Sequence, residues 1–231
     1  MQFKIDFDLI ARSRSILSEK ERSYWIVGGA SSGKTTICRT LSTKFDIPVY
    51  DLDAHIYGEY HDRFSSDHHP VNKAWSSAQN GLAWLLGMSW DQFNHFNQAA
   101  LPEYLDLLCE DLQRNEYASG VLIDGGISNP ALAAKGFPPG QMVCLAYPGH
   151  SSTEIWTGTP ERRSMQEMVM QLPDPQAAWQ KFLEFDERIT ATILTECREN
   201  QVQVCVRGEN ESVDELSARV ARTLGLSRVS R

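Results

Sequence analysis

The chain predicts an α/β fold, a parallel five-stranded sheet flanked by helices, and three observations carry that expectation. Short apolar runs alternate with longer stretches of helical periodicity, the signature of strands joined by crossover helices. A glycine-rich stretch, G-x-x-x-x-G-K-T, separates the first apolar run from the first strong helical segment. The composition is that of a globular chain: 231 residues, 42% hydrophobic and 23% charged, which excludes disordered and fibrous classes.

The predicted strands are residues 24–27, 48–52, 121–124, 142–147 and 202–206, each a short run rich in Val, Ile, Leu, Tyr or Cys. Residues 34–45, 101–114, 179–200 and 213–224 carry helical spacing. The spacing of strands is uneven. Nearly seventy residues separate Asp53 from Val121, far more than one crossover needs, so 58–118 reads as a helical insertion. Residues 148–175 are rich in Gly, Pro, Ser and Thr and read as a long mobile loop, a common setting for a lid over a site. With no internal repeat, 1–231 reads as a single domain.

Charge and cysteine usage narrow the partners. Lys and Arg number 22 against 30 Asp and Glu, a formal net charge of −8, which argues against duplex nucleic acid as a ligand. No apolar run reaches the ~20 residues of a membrane span, and the N-terminus lacks a secretory signal. Cys38, Cys109, Cys144, Cys197 and Cys205 show no metal-ligand spacing and are odd in number. That pattern suits a reducing cytoplasm.

Gly28-Gly29-Ala30-Ser31-Ser32-Gly33-Lys34-Thr35 fits the phosphate-binding pattern at every fixed position, followed by Thr36. Glycines let a backbone wrap an anion with its N–H groups inward, and the helix that follows points its positive end at phosphate. Lys34 would then reach the β- and γ-phosphates of ATP, and the Thr35 hydroxyl would ligate Mg²⁺. The second strand ends in Asp51-Leu52-Asp53. Two acids at i and i+2 share one face of a strand, here at the carboxyl end where doubly wound sheets bind ligands.

On these motifs the chain resembles the P-loop small-molecule kinases, the group of shikimate kinase, gluconate kinase and adenylate kinase, and a P-loop NTPase fold is expected. The resemblance implies that Asp51 holds Mg²⁺ through water and that Asp53 orients or deprotonates the acceptor hydroxyl. The third strand ends Asp124-Gly125-Gly126. Asp124 then stands as the Walker B acid near Mg²⁺, and the glycine turn touches the acceptor through its backbone. In place of the aromatic-Pro-Arg that follows Asp-Gly in adenylate kinase, this chain has Gly-Ile-Ser. A lid in such kinases supplies arginines to the transferring phosphoryl group, and Arg162 and Arg163 are the Lys or Arg residues within 148–175. Arg207, after the fifth strand, is implied to stack on the adenine.

The insertion bears on the acceptor. Residues 58–118 hold nine aromatics and only three Lys or Arg, namely Arg63, Lys73 and Arg114. A nucleoside monophosphate is usually clamped by several arginines. A neutral or weakly charged acceptor against apolar walls is therefore expected, with Arg63 as a candidate contact, although most of the aromatics suit the insertion's own core. The Asn and Gln residues of 72–100 could hydrogen-bond a polyhydroxyl or amide-bearing molecule. His61, His68, His69 and His95 fit no zinc pattern and read as surface or pocket-rim residues. The expected activity is ATP- and Mg²⁺-dependent phosphoryl transfer to a small-molecule hydroxyl. The alternatives are a nucleoside monophosphate kinase and a nucleotide-dependent switch with slow hydrolysis.

Overall fold

A computed structural model describes residues 3–20 and 22–227, the side chains of Asn115 and Glu161 excepted. Helix α1 (Phe7–Ser18) opens the chain, capped by Asp6, whose carboxylate accepts the N–H groups of Asp8 and Leu9. It precedes β1 (Ser23–Gly28), α2 (Lys34–Phe45) and β2 (Val49–Asp51). Five helices then fill the long gap: α3 (Leu52–Ile56), α4 (Tyr60–Arg63), α5 (Pro70–Ser76), α6 (Gly81–Leu86) and α7 (Trp90–Leu112). The remainder is β3 (Val121–Asp124), α8 (Pro130–Gly136), β4 (Met142–Ala146), α9 (Ser152–Thr157), α10 (Pro160–Val169), α11 (Pro175–Glu199), β5 (Gln203–Val206) and α12 (Val213–Thr223).

The five strands form one parallel sheet in the order β2-β3-β1-β4-β5. Strand β1 lies between β3 and β4, so the chain crosses over it after β3. The connections leaving β1 and β3 therefore diverge and open a crevice at the carboxyl edge. Alternation along β1 explains why both faces are covered. Tyr24 and Ile26 pack with Ile37 and Leu41 of α2 and Val220 of α12, while Trp25 and Val27 join Leu17, Leu105 and Ile193 on the other face. Each such fully buried aliphatic chain contributes about 1.5–3 kcal/mol.

Helix α7 ties the insertion to the sheet, and it is buried almost all round from Ala99 to Leu112. Its buried carboxylates therefore need partners. Glu103 caps α5, accepting the Val71 and Asn72 N–H groups at 2.8 Å each and the Asn72 amide at 2.7 Å. Asp111 accepts the Tyr50 hydroxyl at 2.5 Å and pairs with Arg63 and Arg114 at 2.8 Å each. Asp106 pairs with Arg12 at 2.9 Å and His69 at 3.3 Å. The hydrogen bond with His69 and the charge of Arg12 hold its carboxyl below the usual range, against the effect of burial.

Four expectations are corrected here. The segment 148–175 is not a loop: it holds α9 and α10. Ser151 and Glu154 form a capping box at the start of α9, and Pro160 occupies the first turn of α10. The helix expected over 101–114 begins at Trp90, and Pro102 lies inside it. His69 is buried at 5% exposure rather than at a surface. The insertion's aromatics form no separate core: Tyr60, Phe64, Trp75 and Phe96 belong to the same cluster as Trp25 and Tyr50 of the sheet. Among the described residues no helix is long and apolar enough to cross a membrane. All five cysteines are free and buried.

Candidate active site

The connection from β1 to α2 is a tight turn at the carboxyl edge of the sheet. Gly28, Ser31 and Gly33 take φ values of 148°, 58° and 92°. A Cβ at Gly28 would collide with the Leu145 carbonyl of β4, and one at Gly29 with the Thr190 side chain of α11. Gly28 is thus required by close approach as well as by backbone conformation, and Gly29 by close approach. Ser31 has no such freedom, and its left-handed backbone costs about 1–2 kcal/mol. The Lys34 ammonium donates to the Gly28 and Gly29 carbonyls at 2.9 and 3.0 Å, which holds it over the loop it belongs to.

Three carboxylates converge beside this loop. In the β2–β3 register Asp51 is the direct partner of Asp124. Asp51 caps α3 by accepting the Ala54 N–H at 2.9 Å. Asp124 is 2% exposed, and its Oδ1 is buried with no hydrogen-bond partner. Burial pushes its carboxyl up, helped by Asp51, while Thr35 and Lys34 pull it down. Asp53 opens into the cleft and accepts the Gly126 N–H at 3.1 Å. Enclosure there raises its carboxyl above the usual range, opposed by Lys34 and reinforced by Asp124 and Asp51. The orphaned Asp124 oxygen, the surplus of negative charge and the Thr35 hydroxyl make a hard oxygen donor set, which fits Mg²⁺.

Gly126 lines the cleft, and the Gly125–Gly126 turn is also tied down within the protein. The Gly125 N–H donates to the Ile26 carbonyl at 3.1 Å, its carbonyl accepts Trp25 Nε1 at 2.8 Å, and the Gly126 N–H is the one held by Asp53. Both N–H groups are therefore engaged within the protein. Both residues have positive φ (71° and 83°), and a Cβ on Gly125 would overlap the Asp53 carboxylate. The turn positions Asp53.

A cleft of about 440 Å³ joins these groups to the insertion. Its floor is Gly28–Ala30, Lys34, Thr35 and Asp53. One wall comes from α6 and α7 (Leu82, Leu85, Leu86, Phe93, Asn97, Leu101, Tyr104), the other from α11 (Phe182, Phe185, Asp186, Ile189, Ile193). Tilted and edge-on aromatic contacts join the walls: the Phe93 and Phe185 ring centroids lie 4.6 Å apart, those of Trp90 and Phe185 5.6 Å. Of the nine aromatics in the insertion, only Phe93 and Tyr104 line the cleft. The α11 wall went unanticipated, although 182, 185, 189 and 193 follow helical spacing.

The structure separates the two lid arginines. Arg162 lines the cleft, its guanidinium 4.8 Å from the Trp156 ring centroid. Burial lowers its affinity for the proton and Asp186 restores part of it. Arg163 is exposed and donates to the Thr157 carbonyl at 3.1 Å. Arg207 lies outside the cleft lining, 5.1 Å from the Tyr147 ring and bonded to the Glu211 carbonyl. Arg63 is also elsewhere, in the network with Asp111, Glu110 and Glu59. His55, Glu59 and Asp111 bring ligand-type atoms within 4.8 Å of one another. The Arg63 guanidinium already supplies the cation of that cluster, 2.8 Å from Asp111.

No protein-family model matches this chain, and no curated protein matches it. Among solved structures it is similar to TT1252 from Thermus thermophilus, at 20% identity and a TM-score of 0.49, over 88% of this chain and 96% of that one.

Proposed function

We propose that the chain is an ATP- and Mg²⁺-dependent phosphotransferase of the P-loop small-molecule kinase type. The γ-phosphate would pass to a hydroxyl of a small acceptor that is neutral or weakly charged. One observation carries this reading: the glycine-rich loop with Lys34 and the carboxylate of Asp53 face each other across a single cleft. Gly28 to Thr36 hold the triphosphate, with Lys34 leaving the loop carbonyls for phosphate oxygens. Bound by Thr35, Asp51 and Asp124, Mg²⁺ would neutralise charge on the phosphates.

Asp53, fixed by the Gly126 N–H, accepts the acceptor's hydroxyl proton. The new O–P bond forms at the γ-phosphorus as the bond to the bridging oxygen breaks, and ADP departs. Arg162 stabilises the charge on the transferring oxygens. The cations lining the cleft are Lys34 and Arg162, too few for the dianion of a nucleoside monophosphate in addition to ATP. An apolar cleft opposite the loop likewise favours an enzyme over a switch that docks a protein. Five free thiols, all buried, support a reducing compartment such as the cytoplasm.

ADP release across a panel of acceptors tests the reading. Release should depend on acceptor and on Lys34, and Asp53→Asn should lower it about 10²–10⁴-fold while an ATP analogue still binds. Hydrolysis at the same rate with and without any acceptor, unaffected by Asp53→Asn, would overturn it.

A further inference from the structure

The cleft walls carry more than the presence of a pocket. Above the floor the charged lining residues are Arg162 and Asp186. They offset each other: Asp186 raises the proton affinity of Arg162 and is itself held by the Ser152 hydroxyl at 2.5 Å. The remaining lining is aliphatic and aromatic apart from Asn97, Ser128 and Asn129, with phenol hydroxyls on Tyr57 and Tyr104. The amides of the insertion are largely spent within the protein, Asn72 on Glu103, Asn80 on the α6 cap, and Gln92 on the α7 capping box. Polar atoms without partners remain at three places in the lining. Asn129, 1% exposed, has an unpaired Oδ1, and the Asn97 amide Nδ2 and Trp156 Nε1 are buried and unpaired.

From this we infer that the acceptor is an uncharged alcohol with a predominantly apolar, aryl or alicyclic body and one further polar group, the hydroxyl lying at Asp53 and the polar group read by Asn97 and Asn129. The inference rests on the phosphotransferase reading and names its acceptor class. A sugar or cyclitol presents a hydroxyl on nearly every carbon and needs a partner for each, which apolar walls deny. The walls also have the necessary reach. Thr190 packs against Gly29, and Phe182 lies eight residues earlier on α11, about 12 Å along the helix axis. That span accommodates a ring and a short chain.

Calorimetric titration of the full chain, with Mg²⁺ and a non-hydrolysable ATP analogue present, tests the assignment. The probes are 3-phenyl-1-propanol, myo-inositol and CMP. The aryl alcohol should bind saturably, and Leu85→Asn and Phe182→Ser, both at half-buried wall positions, should each weaken it by about tenfold. Neither should change binding of the ATP analogue. Preference for myo-inositol or CMP overturns the inference, as does absence of aryl-alcohol binding, or binding indifferent to both substitutions. In each of those cases an intact ATP site leaves the phosphotransferase reading standing. Failure of the ATP analogue itself to bind overturns that reading, and the acceptor assignment with it.

Discussion

Asp53 is held in an environment that works against its own ionisation. The charges of Asp51 and Asp124 lie close to it, and desolvation raises its carboxyl above the usual range. A carboxyl with a raised folded pKa binds its proton more tightly when folded, so its stabilising contribution is complete at acidic pH. That contribution is lost as pH rises through the raised folded value. Asp53→Asn should therefore raise the melting temperature more at pH 7 than at pH 4, while transfer falls about 10²–10⁴-fold. Thermal melts of the two proteins from pH 4 to 8 check this, and a variant that melts lower throughout would contradict the electrostatic account. Gly125 is the counterpart in backbone terms. Gly125→Ala would force a side chain into a positive-φ position and onto Asp53, costing about 1–3 kcal/mol in denaturant titration and lowering kcat without loss of ATP binding.

Elements decide which side chains face the cleft. Adjacent residues on α10 point about 100° apart, so Arg162 lines the cleft and Arg163 turns to the Thr157 carbonyl. Arg162→Ala should lower kcat about 10³-fold, whereas Arg163→Ala should leave it near wild type; equal effects in steady-state assays would refute the distinction. Helix α7 sets the opposite wall and depends on Glu103. Glu103→Ala leaves the Val71 and Asn72 N–H groups unpaired in a buried site. About 2–4 kcal/mol of stability should be lost, read from urea unfolding. Helices α9 and α10 were misread because their Gly and Pro residues look like loop punctuation, although the Ser151–Glu154 box and Pro160 are helix-start signals in the sequence itself. Docking supplies what such short helices lack by themselves: Trp156 packs edge-on against Phe182 of α11 at 4.9 Å.

At the scale of the whole molecule, strand order places the glycine-rich loop and the carboxylates after β2 and β3 at one edge. The β1 and β3 connections diverge there, and the insertion and α11 stand as walls above them. A ligand that bridges floor and walls should therefore couple to global stability. At a hundredfold excess over Kd, MgATP should stabilise the fold by about 2.7 kcal/mol, a rise of roughly 5–10 °C. Chelating Mg²⁺ should remove most of that shift in differential scanning calorimetry, and Lys34→Ala should remove it altogether. An equal shift in the chelated sample would place the metal outside the site.

The residues of the phosphate loop, the two acids after β2, the acid after β3 and the alternation of strands and helices could all be read from the linear chain. Their signals are local: a motif, a period, a residue at the end of a strand. The acceptor side was only partly legible. Few cations in the insertion pointed to a neutral acceptor, but which residues line the cleft depends on contacts between segments far apart in sequence. Packing sends Tyr60, Phe64, Trp75 and Phe96 into the core and brings Phe182 and Phe185 to the wall. It commits Arg63 to Asp111 and chooses Arg162 over Arg163. The local chemistry of the glycine-rich loop and its acids belongs to the sequence; the shape and polarity of the cleft walls belong to the tertiary structure, because burial is a property of neighbours and not of residues.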